Sequence, residues 1–248
     1  MSPIARSLLF ALANLFHPRM LWLMVWPMLV SLAIWGGVLV VTGAQMVAAI
    51  AGWLQQWLHR GSFFLSWDFG DALTFVAKVL VFLAFVPLAW MTALLILSLF
   101  GMPAMVEHVA SRRYPQLSRR LGGHFAGSLW NGVVALAGLA ALCVVTLPAW
   151  LVPPLWPLIP VAIMGWVNQR VLRYDALAEH AGADEMRQVF AANGGRLYAL
   201  GAVLALLAYV PLVGFVAPVL FGLAFIHFLL GELQALRAAP IEGEAERL

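Results

Sequence analysis

Charge is the first thing this 248-residue chain lacks. Asp, Glu, Lys and Arg make up 10% of it, against 64% hydrophobic residues, and the mean hydropathy is +0.94. A soluble domain carries roughly a quarter charged residues, because its surface must face water. So few charges cannot coat a globule, and most of the surface must face an apolar solvent. The chain reads as an all-α integral membrane protein. Cysteine is almost absent as well. Cys143 stands alone inside an apolar run, which excludes a disulfide framework and a thiolate metal cluster. Lysine occurs once, at Lys78, and the other thirteen basic residues are Arg. The pI near 9.5 is not accompanied by a basic stripe interleaved with aromatics, so nucleic acid is excluded as a partner.

The motifs that carry catalysis are missing too. The six histidines (17, 59, 108, 124, 180 and 227) are scattered, with no two at ligand spacing on one helix, so no metal site is expected. There is no Gly-x-Ser-x-Gly and no glycine-rich loop ending in Lys-Ser/Thr. An ATP-driven pump and a serine hydrolase are thereby excluded, and the reading is of a non-enzyme without cofactor. Glu107 and His108 are adjacent, and are read as interfacial residues where a helix leaves the bilayer. Ala11-Leu12-Ala13 has the form of a signal cleavage site, but Leu8 to Phe10 is too short an apolar core for one.

What is present is long apolar sequence. Met20 to Val41 and Val79 to Met102 carry no charge, and each exceeds the roughly 20 residues that span about 30 Å of hydrocarbon. Pro27 and Pro87 inside them are tolerated as kinks. Two further runs are interrupted. In the first, about 125–169, five prolines fall within thirteen residues: Pro148, Pro153, Pro154, Pro157 and Pro160. In the second, about 197–231, the break reads Pro211-Leu-Val-Gly214-Phe-Val-Ala-Pro218. Its arms, 197–210 and 219–231, reach only roughly 20 Å each. Both runs are expected to be re-entrant helical hairpins. Non-helical backbone at membrane depth must be sealed by protein or line a wet cavity. An oligomer contact and a substrate cavity would satisfy it equally.

Orientation follows from the basic residues. Twelve of them precede the first span or follow the second, and only Arg60 and Lys78 lie between. Cytoplasmic loops carry the excess of Arg and Lys. Both termini are therefore expected in the cytoplasm, with residues 42–78 outside, among them Trp53, Trp57 and Trp67. Ile4, Leu8, Leu12 and Leu15 share a helical face opposite Arg6, Ser7, Asn14 and His17, which predicts an in-plane amphipathic helix. Residues 1–236 read as one membrane domain and 237–248 as a flexible tail.

Candidate anion ligands are the membrane-proximal arginines, because bidentate guanidinium is the best oxyanion donor in a site poor in counter-charge. They are Arg19, Arg170, Arg173 and Arg196, with Asn168 and Gln169 as neutral donors. Arg170 and Arg173 are three apart and share a helix face. Anchoring to the phosphates of the bilayer is the competing role.

The whole pattern resembles a family. Pro18 and Pro27 open the first span, and the second runs out through Gly101-Met-Pro103-Ala-Met-Val-Glu107-His-Val. Then come Arg173-Tyr174-Asp175-Ala-Leu-Ala-Glu-His-Ala and Pro211-Leu-Val-Gly-Phe-Val-Ala-Pro218. Over roughly residues 5–236 this is similar to the CysZ-type sulfate permeases and the wider group named for the etoposide-induced 2.4 protein. The resemblance implies two long transmembrane helices, two hemi-penetrating hairpins, amphipathic cytoplasmic pieces and a homo-oligomer. The activity it implies is sulfate uptake for cysteine synthesis across the bacterial inner membrane. In those permeases the segment between the two prolines is similar to Pro-Gly-x-Arg-Arg, an Arg pair associated with bound sulfate. Here that pair falls on Leu21 and Trp22. A passive permease for sulfate or a related anion is one reading; a non-transport membrane scaffold of the same family is the other.

Overall fold

A computed structural model describes residues 2–60, 70–211 and 213–238. Helices account for its regular structure, and no strand occurs among the described residues. In chain order they are α1 (Pro3–Leu15), α2 (Pro18–Arg60), α3 (Gly70–Ile96), a π-helical turn (Leu97–Gly101) and α4 (Met102–Arg113). Then follow α5 (Phe125–Val145), two 3₁₀ turns, α6 (Leu158–Leu177), α7 (Ala183–Leu207) and α8 (Val213–Ala238). Among the described residues, five helices are long and apolar enough to cross a membrane: α2, α3, α5, α7 and α8. The chain divides into two compact units, residues 22–99 and residues 1–21 with 100–248.

The first expected span lies inside a longer helix, whereas the second runs through α3 and the π-helical turn to the start of α4. The helix of the first span does not stop at Val41, and Trp53, Gln55, Gln56 and Trp57 extend it rather than form a loop. Trp67 lies outside the described residues. Ser31 Oγ donates to the Ala89 carbonyl at 2.5 Å, and Trp35 Nε1 to Thr92 Oγ1 at 2.8 Å, tying α2 to α3. Trp35 also meets the Phe85 ring edge-on at 5.5 Å. Apolar side chains such as Val40, Val41, Phe75 and Phe82 are exposed along both helices, as expected where the solvent is lipid.

The second unit is built around α8. From 213 to 231 this helix carries no Asp, Glu, Lys or Arg, a pattern that favours burial. Leu220, Leu223, Phe225, Ile226, Leu229, Leu230 and Leu233 are all buried. Helices α1, α4, α6 and α7 pack around it, and α5 packs on α6. Glycine permits the closest approaches. A Cβ at Gly123 would lie 2.6 Å from Ala178 Cα, and one at Gly127 would lie 2.6 Å from Tyr174 Cζ. The Gly123-x-x-x-Gly127 spacing thus fits the chain before and within α5 onto the C-terminal part of α6.

Several sequence expectations change here. The prolines of the first interrupted run fall between α5 and α6 or at the start of α6. Pro148 sits in one 3₁₀ turn, Pro153 and Pro154 in the next, and Pro157 caps α6. Pro160 falls in the first turn of α6, where a missing N–H is harmless. In the second hairpin, Pro211 lies in the turn before α8, but Gly214 and Pro218 lie within α8 and do not break it. Pro218 deprives the Gly214 carbonyl of its i+4 donor, one lost hydrogen bond near the start of the helix. The hairpin arms are also longer than their charge-free cores, 25 residues in α7 and 26 in α8, because the helices continue through polar sequence.

The helix α1 forms, and of its expected apolar face Leu15 is buried in the protein while Leu12 is exposed. Ser7, Ala11 and Leu15 face the protein, whereas Leu9, Leu12 and Phe16 are exposed. Ser7 is buried because its hydroxyl meets His227 Nδ1 at 3.0 Å on α8. Arg237, which the sequence groups with the tail, belongs to α8; residues 239–248 lie outside the described residues.

Candidate functional site

Four of the candidate ligands, Asn168, Gln169, Arg170 and Arg173, lie on the C-terminal half of α6. Arg170 and Arg173 stand three residues apart, both half-buried. Each would cost several kcal/mol to bury unpaired, so carboxylate partners are the ordinary expectation. Neither has one. The ion pairs of the described residues join Arg119 to Glu107, Arg120 and Arg237 to Glu185, Arg187 to Asp184 and Arg196 to Glu232.

Neutral contacts hold Arg173. Its Nη1 donates to Gln169 Oε1 at 3.4 Å, and its guanidinium lies 4.8 Å over the Phe190 ring of α7. Burial, and then the charge of Arg170, lowers its pKa to about 10. It is still cationic at neutral pH. Arg170 Nε is buried with no hydrogen-bond partner. An unpaired buried donor costs about 1–3 kcal/mol, and an acceptor from outside the chain would recover that.

The support behind this pair is polar and ordered. Asn131 Nδ2 donates to the Arg170 carbonyl at 2.6 Å, fixing α5 against α6 at that level. One turn on, Ser128 Oγ donates to Asp175 Oδ1 at 2.5 Å. Burial raises the Asp175 carboxyl, and the Ser128 hydrogen bond partly offsets it. Asp175 is committed to α5 and makes no ion pair with either arginine among the described residues.

The other sequence candidates go elsewhere. Asn168 Nδ2 donates to the Gly201 carbonyl at 3.3 Å, bracing α6 against α7. Arg196 is exposed, donates to Asn193 Oδ1 at 3.3 Å and pairs with Glu232 at 3.7 Å. Arg19 is exposed at the start of α2, where its backbone N–H donates to His17 Nδ1 at 3.2 Å. It belongs with His17, His108 and Arg112. Arg112 Nη2 approaches His17 Nε2 at 2.9 Å, and the two imidazoles are 4.8 Å apart. Burial, aided by Arg112, His17 and Arg19, holds His108 below its ordinary pKa. Glu107 is paired with Arg119, so the adjacent acid and imidazole serve separate contacts. Leu21 and Trp22, at the positions of the permeases' Arg pair, are exposed apolar residues.

Sequence reasoning missed the best-connected arginine. Arg237 Nε and Nη2 donate to Glu185 at 2.9 and 3.0 Å, Nη2 also to the His180 carbonyl at 2.6 Å, and Nη1 to the Ser118 carbonyl at 3.0 Å. Its only sequence signal was a lone Arg in the last turn of an apolar helix, which fits any C-terminus. No group of three potential metal ligands occurs among the described residues.

A family model described as sulfate transporter CysZ/etoposide-induced protein 2.4 matches residues 7–218. No curated protein and no solved structure matches the chain.

Proposed function

The chain belongs to the sulfate transporter CysZ/etoposide-induced protein 2.4 family, and from that premise we propose that it is a permease for sulfate or a related small inorganic oxyanion. It works in the bacterial inner membrane, passively, with both termini cytoplasmic, as a homo-oligomer whose two hairpins re-enter the bilayer. The observation that carries the reading is the Arg170–Arg173 pair. Two half-buried guanidinium groups share a helix face, lack a carboxylate, and leave one buried N–H unused. An oxyanion supplies both the charge and the acceptors that the pair lacks. Arg173 is oriented by Gln169 and Phe190, so its fork is pre-organised.

Passive movement follows from the absence of a titratable carboxylate along the two long charge-free runs, since coupled transporters expose one. The test is sulfate-dependent growth of a cysteine-requiring, uptake-deficient bacterium. Wild-type chain restores growth, whereas Arg173→Lys and Arg173→Ala both abolish it at unchanged membrane abundance. If Arg173→Lys supports full growth and Arg173→Ala only lowers abundance, the arginine is a lipid anchor and the reading fails.

The scaffold reading draws on one observation, that Leu21 and Trp22 are apolar and exposed where the permeases carry arginines. A normally expressed wild type that never restores growth on sulfate favours it.

A further inference from the structure

A cleft of about 700 Å³ opens between α1, the end of α4 and α8, apart from the Arg170–Arg173 pair. Its walls are fastened to one another. His227 of α8 receives three neighbours: Ser7 Oγ at 3.0 Å on Nδ1, the Tyr114 hydroxyl donating at 2.9 Å to its carbonyl, and the Phe10 ring stacked at 4.3 Å. These contacts occupy the Ser7 and Tyr114 hydroxyls and His227 Nδ1. Beyond them the cleft carries positive charge.

Arg6 and Arg113 line the cleft from two different elements, and both are exposed. Neither forms an ion pair among the described residues. The one acid lining the cleft, Glu232, is already engaged by Arg196 at 3.7 Å. Two cations lining one cleft without a counter-ion make a site for a group with spread negative charge and several acceptor oxygens, such as a phosphate. The volume is within the roughly 300–1,000 Å³ of small-molecule sites.

The rim selects which phosphate. Leu9 lines the cleft and is 54% exposed, and Leu12 and Phe16 continue its side of α1 at 43% and 74%. Residues at these spacings form one apolar strip leading from the cleft mouth. A free inorganic ion has no use for that strip, whereas acyl chains do. We propose that the cleft binds a membrane glycerophospholipid, with its phosphate between Arg6 and Arg113 and its acyl chains along Leu9, Leu12 and Phe16. The bound lipid joins α1 to α8 and is independent of what the protein transports.

The test is native mass spectrometry of the full chain purified in maltoside detergent and titrated with phosphatidylglycerol. Each arginine near an anionic headgroup is worth about 1 kcal/mol, so the Arg6→Gln, Arg113→Gln double variant loses roughly 25-fold in lipid affinity. The double Lys variant keeps most of it, because the charge remains. Arg187→Gln, on the exposed flank of α7, changes nothing. If the double Gln variant does not fold, each single Gln variant carries the test with an expected loss of roughly fivefold. Equal lipid affinity in wild type and Gln variants overturns the site. Displacement of the lipid by millimolar glycerol 3-phosphate or inorganic phosphate overturns the lipid assignment in favour of a soluble phosphate.

Discussion

Arg237→Ala is the perturbation that most directly probes how the second unit is held together. The guanidinium reaches three segments at once: Glu185 in the first turn of α7, the His180 carbonyl in the turn before it, and Ser118 between α4 and α5. Arg237 and Glu185 are 17% and 14% exposed, so water screens them little. Breaking a buried pair costs about 3–5 kcal/mol, largely because the abandoned charge has nowhere to go. Glu185 is not abandoned. It still receives the Gly182 N–H at 2.8 Å and Arg120 at 2.9 Å, which sets the cost at the low end, about 3 kcal/mol. For a chain of this size that corresponds to a fall in Tm of roughly 6–12 °C. The assay is thermal unfolding in detergent followed by tryptophan fluorescence. Arg187→Ala is the control, since its pair with Asp184 is 80% and 85% exposed and is worth at most about 0.5 kcal/mol. If Arg237→Ala melts with the wild type while retaining its secondary structure, the clamp does not hold these segments and the reasoning is refuted.

Three further outcomes are expected. Gly201→Ala drives a methyl against the Gly165 backbone and lowers stability by about 1–3 kcal/mol, whereas Gly132→Ala, with nothing within 4 Å, raises it by about 0.5–1 kcal/mol; a melt of both variants checks the contrast. His180 is held below its ordinary pKa by burial first, and then by Arg119 and Arg237. Its folded value lies under the unfolded 6.5, so the stability it contributes is complete above that pH and is lost as pH falls below it. Tm should therefore drop more between about pH 7.5 and about pH 5.5 in wild type than in His180→Gln; an equal drop rejects the assignment. In a Cys143→Ser background, Ser62→Cys should be labelled by an impermeant thiol reagent outside intact cells and Ser118→Cys should not; the reverse pattern inverts the topology. Position 62 lies outside the described residues.

Much of the helical layout was legible because lipid imposes a simple rule on sequence. Charge-free runs at 20–41 and 79–102 had to be helical, and the clustered prolines from 148 to 157 had to interrupt the first hairpin. Helix ends were not legible, since hydropathy marks where lipid stops rather than where hydrogen bonding stops, and α2 runs on to Arg60. Pro218 misled because one lost hydrogen bond does not end a helix whose following turns, from Val219 on, are buried. Periodicity marked an apolar face on α1 but gave no sign that Ser7, on the opposite side, would be buried against a partner 220 residues away. The i, i+3 spacing of Arg170 and Arg173 was visible, and local. That Arg196 is neutralised by Glu232, and that Arg237 leaves the tail to clamp three segments, depend on contacts between distant parts of the chain.

The central claim is that an inorganic oxyanion crosses through this protein, held on its way by Arg170 and Arg173. The measurement that meets it most directly is radiolabelled sulfate uptake into proteoliposomes containing the purified chain. Uptake should run down the sulfate gradient, exceed that of protein-free vesicles, ignore a proton ionophore, and vanish when Arg170 and Arg173 are both replaced by Gln. Uptake no faster than that of empty vesicles, from protein shown to be folded and inserted, would contradict it.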